Sequence, residues 1–242
     1  MKVAIVSRGL VRDPFDKSIT NFNPNAVNWC KENLDMLKYM LKDHEVTTFF
    51  CSWNVPNAIE YSKLFDNSLI LKQPTEEECW AQLPHQPVWF AQESNPLYKS
   101  TALAKFFIQS KAIIKVVKSW DSGFDYIIFT RPDLKIAIED INLWMTDKYS
   151  VPGMSYVNFN DHINIAKSNM MYKVWDISNE KLDGIIQRSL DTEDVVKHMV
   201  EDQSFEHESH LNITQFMVRG FDVVANYHAG GYEALKKQLG VK

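Results

Sequence analysis

Short apolar runs alternate with amphipathic stretches along the first half of the chain. Strands are predicted where these runs are rich in β-branched and aromatic residues, at 3–7, 45–53, 68–71 and 124–130. Helices are predicted where apolar residues recur at helical spacing, at 27–42, 58–65, 75–82 and 97–120. Alternation of strands with helices is the signature of βαβ units, so the pattern predicts an α/β fold with a mostly parallel sheet.

The second half of the chain is predicted to be mainly helical, with a few short strands. The strands are expected near 149–151, 163–166 and 221–227, and the helices near 168–175, 180–189, 192–199 and 205–219. The sequence contains no internal repeat, low-complexity tract or obvious linker. Residues 1–242 are therefore predicted to form a single domain, with the later helices packed on or beside the sheet.

The net charge of the chain bears on whether it binds nucleic acid. Lysine and arginine total 26 against 31 acidic residues, which gives a net charge of −5. A protein that holds nucleic acid through a broad basic face needs the opposite balance, which counts against a nucleic-acid partner but does not exclude a local basic groove.

The cysteines and the hydropathy of the chain bear on its location. The three cysteines, at positions 30, 51 and 79, are widely spaced and form no CxxC or zinc pattern. A reducing compartment is the simplest inference, and we expect the protein to be cytoplasmic. No apolar run approaches the roughly 20 residues that a membrane helix needs, and the amino-terminal run is too short for a signal peptide.

The most informative segment is the apolar run that ends in Thr130, Arg131, Pro132 and Asp133. Ligands of open α/β sheets bind at the carboxyl ends of the strands, and the fixed φ of Pro132 would hold Asp133 rigidly. A carboxylate there suits Mg²⁺ or Mn²⁺, whereas Arg131 could bind phosphate through its planar fork. The alternative is that both charged side chains only hydrate the turn.

The segment 124–134, with the sequence FDYIIFTRPDL, resembles the central motif of a group of GT-A-like glycosyltransferases. Looser similarities to the same group follow in chain order at 3–9, 49–53, 160–168, 205–211 and 216–223. The resemblance implies a GT-A-like, Rossmann-like fold with a mixed, mostly parallel sheet. Arg131 stands where the Asp-x-Asp metal motif of other GT-A enzymes has its first acid, which leaves the need for a metal open.

The resemblance also implies a binding site for a nucleotide-sugar donor. Ser7, Arg8 and Gly9 would contact the nucleotide, and Arg8 or Arg12 would lie near the diphosphate. Asp133 would hold Mn²⁺ or Mg²⁺ or contact the donor sugar, beside Arg131. His228 is a candidate second metal ligand.

A general base is needed if the transfer inverts the anomeric centre. Asp161 is the candidate that the resemblance implies, near the hydroxyls of donor or acceptor, although it could equally be a turn residue in an Asn-rich loop. Glu206 and Glu208 are rival candidates. His207 and His210 have the i,i+3 spacing of a helical metal site, but the sequence shows no third ligand and we expect a solvated pair.

The sequence therefore predicts transfer of a hexosyl or pentosyl group from a nucleotide-diphosphate sugar to a glycan or another hydroxyl acceptor. Two alternatives stay open: a non-catalytic sugar- or nucleotide-binding module, and an enzyme that glycosylates DNA bases, against which the acidic composition counts. Residues 3–6 are not followed by GxGxxG, and neither a P-loop nor a GxSxG elbow occurs in the sequence. These absences argue against a dinucleotide-dependent oxidoreductase, a P-loop NTPase and a serine hydrolase.

Overall fold

The computed structural model describes residues 1–9, 24–55, 58–94, 100–120, 123–132, 134–138, 140–152, 163–210, 213–219 and 222–223. Within these ranges the strands are β1 (Lys2–Arg8), β2 (Glu45–Trp53), β3 (Asn67–Leu71), β4 (Tyr126–Thr130), β5 (Leu134–Ile138), β6 (Tyr149–Pro152), β7 (Asn164–Lys167), β8 (His207–His210), β9 (Ile213–Arg219) and β10 (Asp222–Val223). The helices are α1 (Pro24–Met40), α2 (Ala58–Ser62), α3 (Glu76–Gln82), α4 (Ala102–Trp120), α5 (Ser168–Trp175), α6 (Asn179–Arg188) and α7 (Thr192–Glu201), with a 3₁₀ turn at Ile141–Trp144. The predicted α/β class is confirmed.

Seven strands form the main sheet in the order β3-β2-β1-β4-β7-β6-β8. All of them run in parallel except β7, which is antiparallel to both β4 and β6. The chain builds outward from β1 to β3 and then returns through α4 to place β4 on the other side of β1. This reversal creates a topological switch point between β1 and β4.

Alternate side chains of β1 enter two different cores because a strand presents successive residues to opposite faces. Val3 and Ile5 pack with α1 and α2, whereas Ala4 and Val6 pack with α4 and α5. A strand covered on both sides needs apolar residues at every position, which explains the unbroken apolar runs of β1 and β4.

The predicted helix at 205–219 is wrong, because this stretch forms β8 and β9. Ser204 adopts a φ of 57°, which ends the helical course after α7 and turns the chain back. β8 then pairs in parallel with β6, and β9 pairs antiparallel with β5, a strand that the sequence pattern did not predict. These pairings join segments that are distant in the sequence, so they override the local helical spacing.

In the described part of the chain, no helix combines the length and apolar character needed to cross a bilayer.

A second, smaller sheet among the described residues has three antiparallel strands in the order β10-β9-β5.

Ser52 on β2 offers a test of whether a buried hydroxyl of this core lacks a hydrogen bond. Its hydroxyl is fully buried and has no hydrogen-bond partner among the described residues. Because an unpaired buried hydroxyl costs free energy, we expect Ser52→Ala to raise the free energy of unfolding by about 1 kcal/mol in a urea titration.

Ser189 is the matched control, since its equally buried hydroxyl donates to the Ile185 carbonyl at 2.8 Å and lies 3.0 Å from Nδ1 of His198. Ser189→Ala should lower the free energy of unfolding by about 1 kcal/mol. Equal losses in both variants would show that Ser52 is satisfied in solution.

Candidate functional site

The carboxyl ends of β1 and β4 lie side by side at the switch point. Ser7 is the register partner of Thr130, so the two residues face each other across adjacent strands. Arg8 and Gly9 continue the chain beyond Ser7, and Arg131 continues it beyond Thr130. A crevice outside this edge is where open α/β sheets bind ligands.

The loops that leave β1 and β4 touch each other through Gly9 and Pro132. A Cβ atom added to Gly9 would lie 3.2 Å from Cδ of Pro132, and Gly9 has a φ of +152°, which favours glycine. The amide of Gly9 also donates to the carbonyl of Cys51 at 3.2 Å. Glycine at this position therefore lets the two loops approach closely.

A small recess opens beside this contact, between α1 and the sheet. Its volume is about 260 Å³ including the open solvent at its mouth, and only about one water molecule fits inside it. Its walls are formed by Ile5, Ser7, Cys30, Asn33, Leu34, Leu37, Phe65, Thr130 and Arg131. The four α1 residues recur at helical spacing, so α1 directs one face toward this edge of the sheet.

Arg8 points to the opposite face of the sheet and is enclosed by aromatic rings. Only 2% of the residue is exposed. Its guanidinium carbon lies 3.9 Å from the ring centre of Phe106, 4.8 Å from that of Phe129 and 5.2 Å from that of Trp175. Such cation–π contacts partly replace the hydration that a buried cation loses.

Buried hydrogen bonds hold Trp175 in this cage. Its indole Nε1 donates to the hydroxyl of Tyr149 at 3.1 Å, and that hydroxyl donates to Oδ1 of Asn164 at 2.7 Å. The indole ring stacks on Phe129 with 5.2 Å between the ring centres and 3° between the planes. The cage around Arg8 is therefore fixed by α5, β4, β6 and β7 together.

The structure brings together Ser7, Arg8, Gly9 and Arg131, four of the residues predicted to form the site. Ser7 and Arg131 line the recess, Gly9 lies at the loop contact, and Arg8 lies behind it in the aromatic cage. The predicted contact of Arg8 with a diphosphate stays a prediction.

The other predicted site residues, Arg12, Asp133, Asp161 and His228, lie outside the described residues. Within the described ranges, no group of three or more His, Cys, Asp or Glu side chains could hold a metal ion.

Glu208 and its neighbours lie on a strand instead of a helix. Residues three apart on a strand point to opposite faces, so His207 and His210 do not form the pair that helical spacing predicted. Burial opposes ionisation of Glu208, but hydroxyl groups of Thr146 and Ser150 donate to its carboxylate and lower its pKa. A carboxylate held in this way is a weaker base.

Thr130, Asn33, Tyr149 and Trp175 surround this edge of the sheet but were not predicted as site residues. The orientation of Thr130 could have been predicted from the sequence. Ile128 and Thr130 alternate with Ile127 and Phe129 along β4, so they face α1. Tyr149 and Trp175 carried no local signal, because their roles come from contacts with residues far away in the chain.

No family model matches the chain, and no curated protein matches it. Solved structures do show similarity. Mouse xyloside xylosyltransferase 1 in its apo form has 10% sequence identity and a TM-score of 0.44, over 87% of this chain and 85% of that one. A glycosyltransferase involved in glycosylation of the major capsid of PBCV-1 has 12% identity and a TM-score of 0.42, over 87% and 82%.

The galactosyltransferase LgtC, in complex with donor and acceptor sugar analogues, has 11% identity and a TM-score of 0.41, over 83% of this chain and 70% of that one. Likeness at these identities and TM-scores does not identify a function for this chain.

Removal of the Tyr149 hydroxyl tests the cage. Tyr149→Phe takes away the acceptor for the Trp175 indole and the donor to Asn164, both in the core. We expect the free energy of unfolding to fall by about 1–3 kcal/mol in urea. Tyr126→Phe is the control: its hydroxyl donates to the Thr146 carbonyl at 3.2 Å in a less buried position, so a loss of about 1 kcal/mol or less is expected.

Cys51, the register partner of Arg8, gives a pH-dependent prediction. Burial raises the pKa of its thiol to about 12 from its ordinary value of 9.0, although the positive charge of Arg8 opposes the shift. Below about pH 9 the thiol is protonated in both folded and unfolded chains. As the pH rises from 9 toward 12, the Cys51 thiol ionises in the unfolded chain but stays protonated in the folded one. The free energy of unfolding therefore falls over this range.

The comparison with Cys51→Ala isolates this effect from other titrating groups. The excess stability of the wild type over Cys51→Ala should shrink by at most about 1.4 kcal/mol per pH unit between pH 9 and 12 in urea titrations. A constant difference over that range would contradict the raised pKa.

Proposed function

We propose that this chain is a nucleotide-sugar-dependent glycosyltransferase, which moves a hexosyl or pentosyl group from a nucleotide-diphosphate sugar to a hydroxyl acceptor such as a glycan. The observation that carries the proposal is the meeting of Ser7, Gly9 and Arg131 at the switch point between β1 and β4. A phosphate-linked ligand bound there would meet a planar guanidinium, a hydroxyl and two closely packed loops.

The two arginines would act differently on the donor. Arg131 lies partly exposed at the recess, where its guanidinium could bind the diphosphate directly. Arg8 is enclosed by aromatic rings, so in this conformation it would add positive potential from behind the loop. Arg12 is proposed to add a further contact near the diphosphate.

The transfer itself breaks the bond between the anomeric carbon and the diphosphate oxygen and forms a bond from that carbon to the acceptor oxygen. The acceptor hydroxyl loses its proton, and Asp161 is the proposed base for an inverting reaction. The departing diphosphate carries the negative charge that Arg131 would stabilise.

Asp133 and His228 are the proposed ligands of a divalent cation, Mn²⁺ or Mg²⁺. A carboxylate oxygen and an imidazole nitrogen are donors that suit Mn²⁺, with waters and donor phosphates as the other ligands. When bound, the cation would neutralise charge on the leaving diphosphate. Asp133 follows Pro132 directly in the chain and would otherwise contact the donor sugar.

A thermal-shift screen tests the proposal in its simplest form. UDP, GDP, CDP and their common sugar conjugates are added with and without Mn²⁺, and a true donor at 100 times its Kd should stabilise the fold by about 2.7 kcal/mol. Arg131→Gln should weaken that donor at least tenfold. The control is Arg188→Gln on α6, whose guanidinium pairs with Asp202 at 2.7 Å, and it should leave binding unchanged.

Release of nucleoside diphosphate from the selected donor then separates an enzyme from a binding module. Asp133→Ala should abolish this release while the urea midpoint stays close to that of the wild type. If the wild type binds a donor but releases no nucleoside diphosphate with any hydroxyl acceptor tested, the result would instead support a non-catalytic binding module. Binding of none of the nucleotides would overturn the proposal.

A further inference from the structure

Thr130 occupies the last position of β4 and carries a hydroxyl that the described protein groups leave without a hydrogen bond. Only 4% of the residue is exposed, and its Oγ1 is buried without a hydrogen-bond partner among the described residues. A buried hydroxyl normally finds a partner, and valine would fill the same space in a strand without that cost. We therefore expect the hydroxyl to form a hydrogen bond with a group other than those of the described residues.

The recess supplies the surroundings that a water molecule needs. Three uncharged polar side chains line it besides Arg131, since Ser7 lies opposite Thr130 in register and Asn33 reaches it from α1. The remaining contacts come largely from apolar side chains, and the enclosed part has room for about one water molecule. Buried waters typically make about three hydrogen bonds, which matches the three polar groups.

The position of the recess links it to the ligand. Arg131 lies at its edge, and Ser7 and Thr130 mark the ends of the two strands that flank the switch point. A water molecule can make four hydrogen bonds, so three contacts with the protein leave one for a group outside the recess. That group would belong to whatever binds at this edge of the sheet.

We propose that the recess is a water site, and that its single water, held by Thr130, Ser7 and Asn33, recognises an uncharged hydroxyl or carbonyl group of the bound ligand. The ligand part of this proposal rests on the proposed function, whereas the water site does not. Thr130 thus contributes to specificity through a water molecule and takes no part in the chemical step.

A crystal structure of the wild type, without nucleotide and at a resolution that shows ordered waters, tests the site itself. One water should lie within hydrogen-bond distance of Thr130 Oγ1 and of the hydroxyl of Ser7, and it should be absent or displaced in Thr130→Val. An empty recess in the wild type would overturn the proposal.

Urea midpoints give a second reading with a matched control. Ser52 has the same kind of unpartnered buried hydroxyl on β2 but does not line the recess. Ser52→Ala should raise the midpoint, whereas Thr130→Val should not, because it removes a hydroxyl that water satisfies. An equal rise in both variants would mean that Thr130 has no water partner.

Calorimetric titration with UDP and with GDP tests the recognition role. For whichever of the two the wild type binds, Thr130→Val should weaken binding about tenfold, and Thr130→Ser, which keeps the hydroxyl, should stay within about twofold of the wild type. Ser52→Ala should bind like the wild type. Unchanged affinity in Thr130→Val would overturn the recognition role.

The two proposals fail in different ways. If the wild type binds neither these two nucleotides nor any other from the thermal-shift screen, the proposed function fails and the recognition role fails with it. The water site is then decided by the crystal structure and the urea midpoints, neither of which needs a nucleotide.

Discussion

The parallel pairing of β1 with β4 is the constraint on which the site depends. These strands are more than 100 residues apart in the sequence, and only the return of the chain through α4 makes them neighbours. Their register sets Ser7 against Thr130, so Gly9 and Arg131 follow at the same edge of the sheet. The position of the site is thus set by the pairing of the backbone strands.

The burial of Arg8 shows how much of the structure serves that edge. A cation cannot be removed from water without compensation, and here rings from α4, β4 and α5 enclose it. The same cage orders Trp175, which reaches Tyr149 and through it Asn164. One charged residue at the end of β1 therefore helps to define the packing of helices and strands that the sequence places far apart.

The sequence predicted the elements whose signal is local and failed where pairing between distant segments decides the structure. The apolar runs of β1, β2 and β4 and the helical spacing of α1 and α4 identified these elements to within a few residues. β8 and β9 were predicted as a helix because their strand character comes from β6 and β5. At the site, the apolar run of β4 placed Arg131 at the carboxyl edge of the sheet, and Ser7 and Gly9 were named only through the resemblance. The cage around Arg8 depends on contacts with Phe106 and Trp175 that no spacing in the sequence reveals.

The contact between Gly9 and Pro132 has a mechanical consequence. With so little space between them, neither loop can shift toward the other, and a push on one is transmitted to the other. The amide of Gly9 extends this coupling to β2 through the carbonyl of Cys51. A movement of Gly9 toward Pro132 would consequently displace Pro132 and its neighbour Arg131 as well, so in that direction the ends of the two strands would move together.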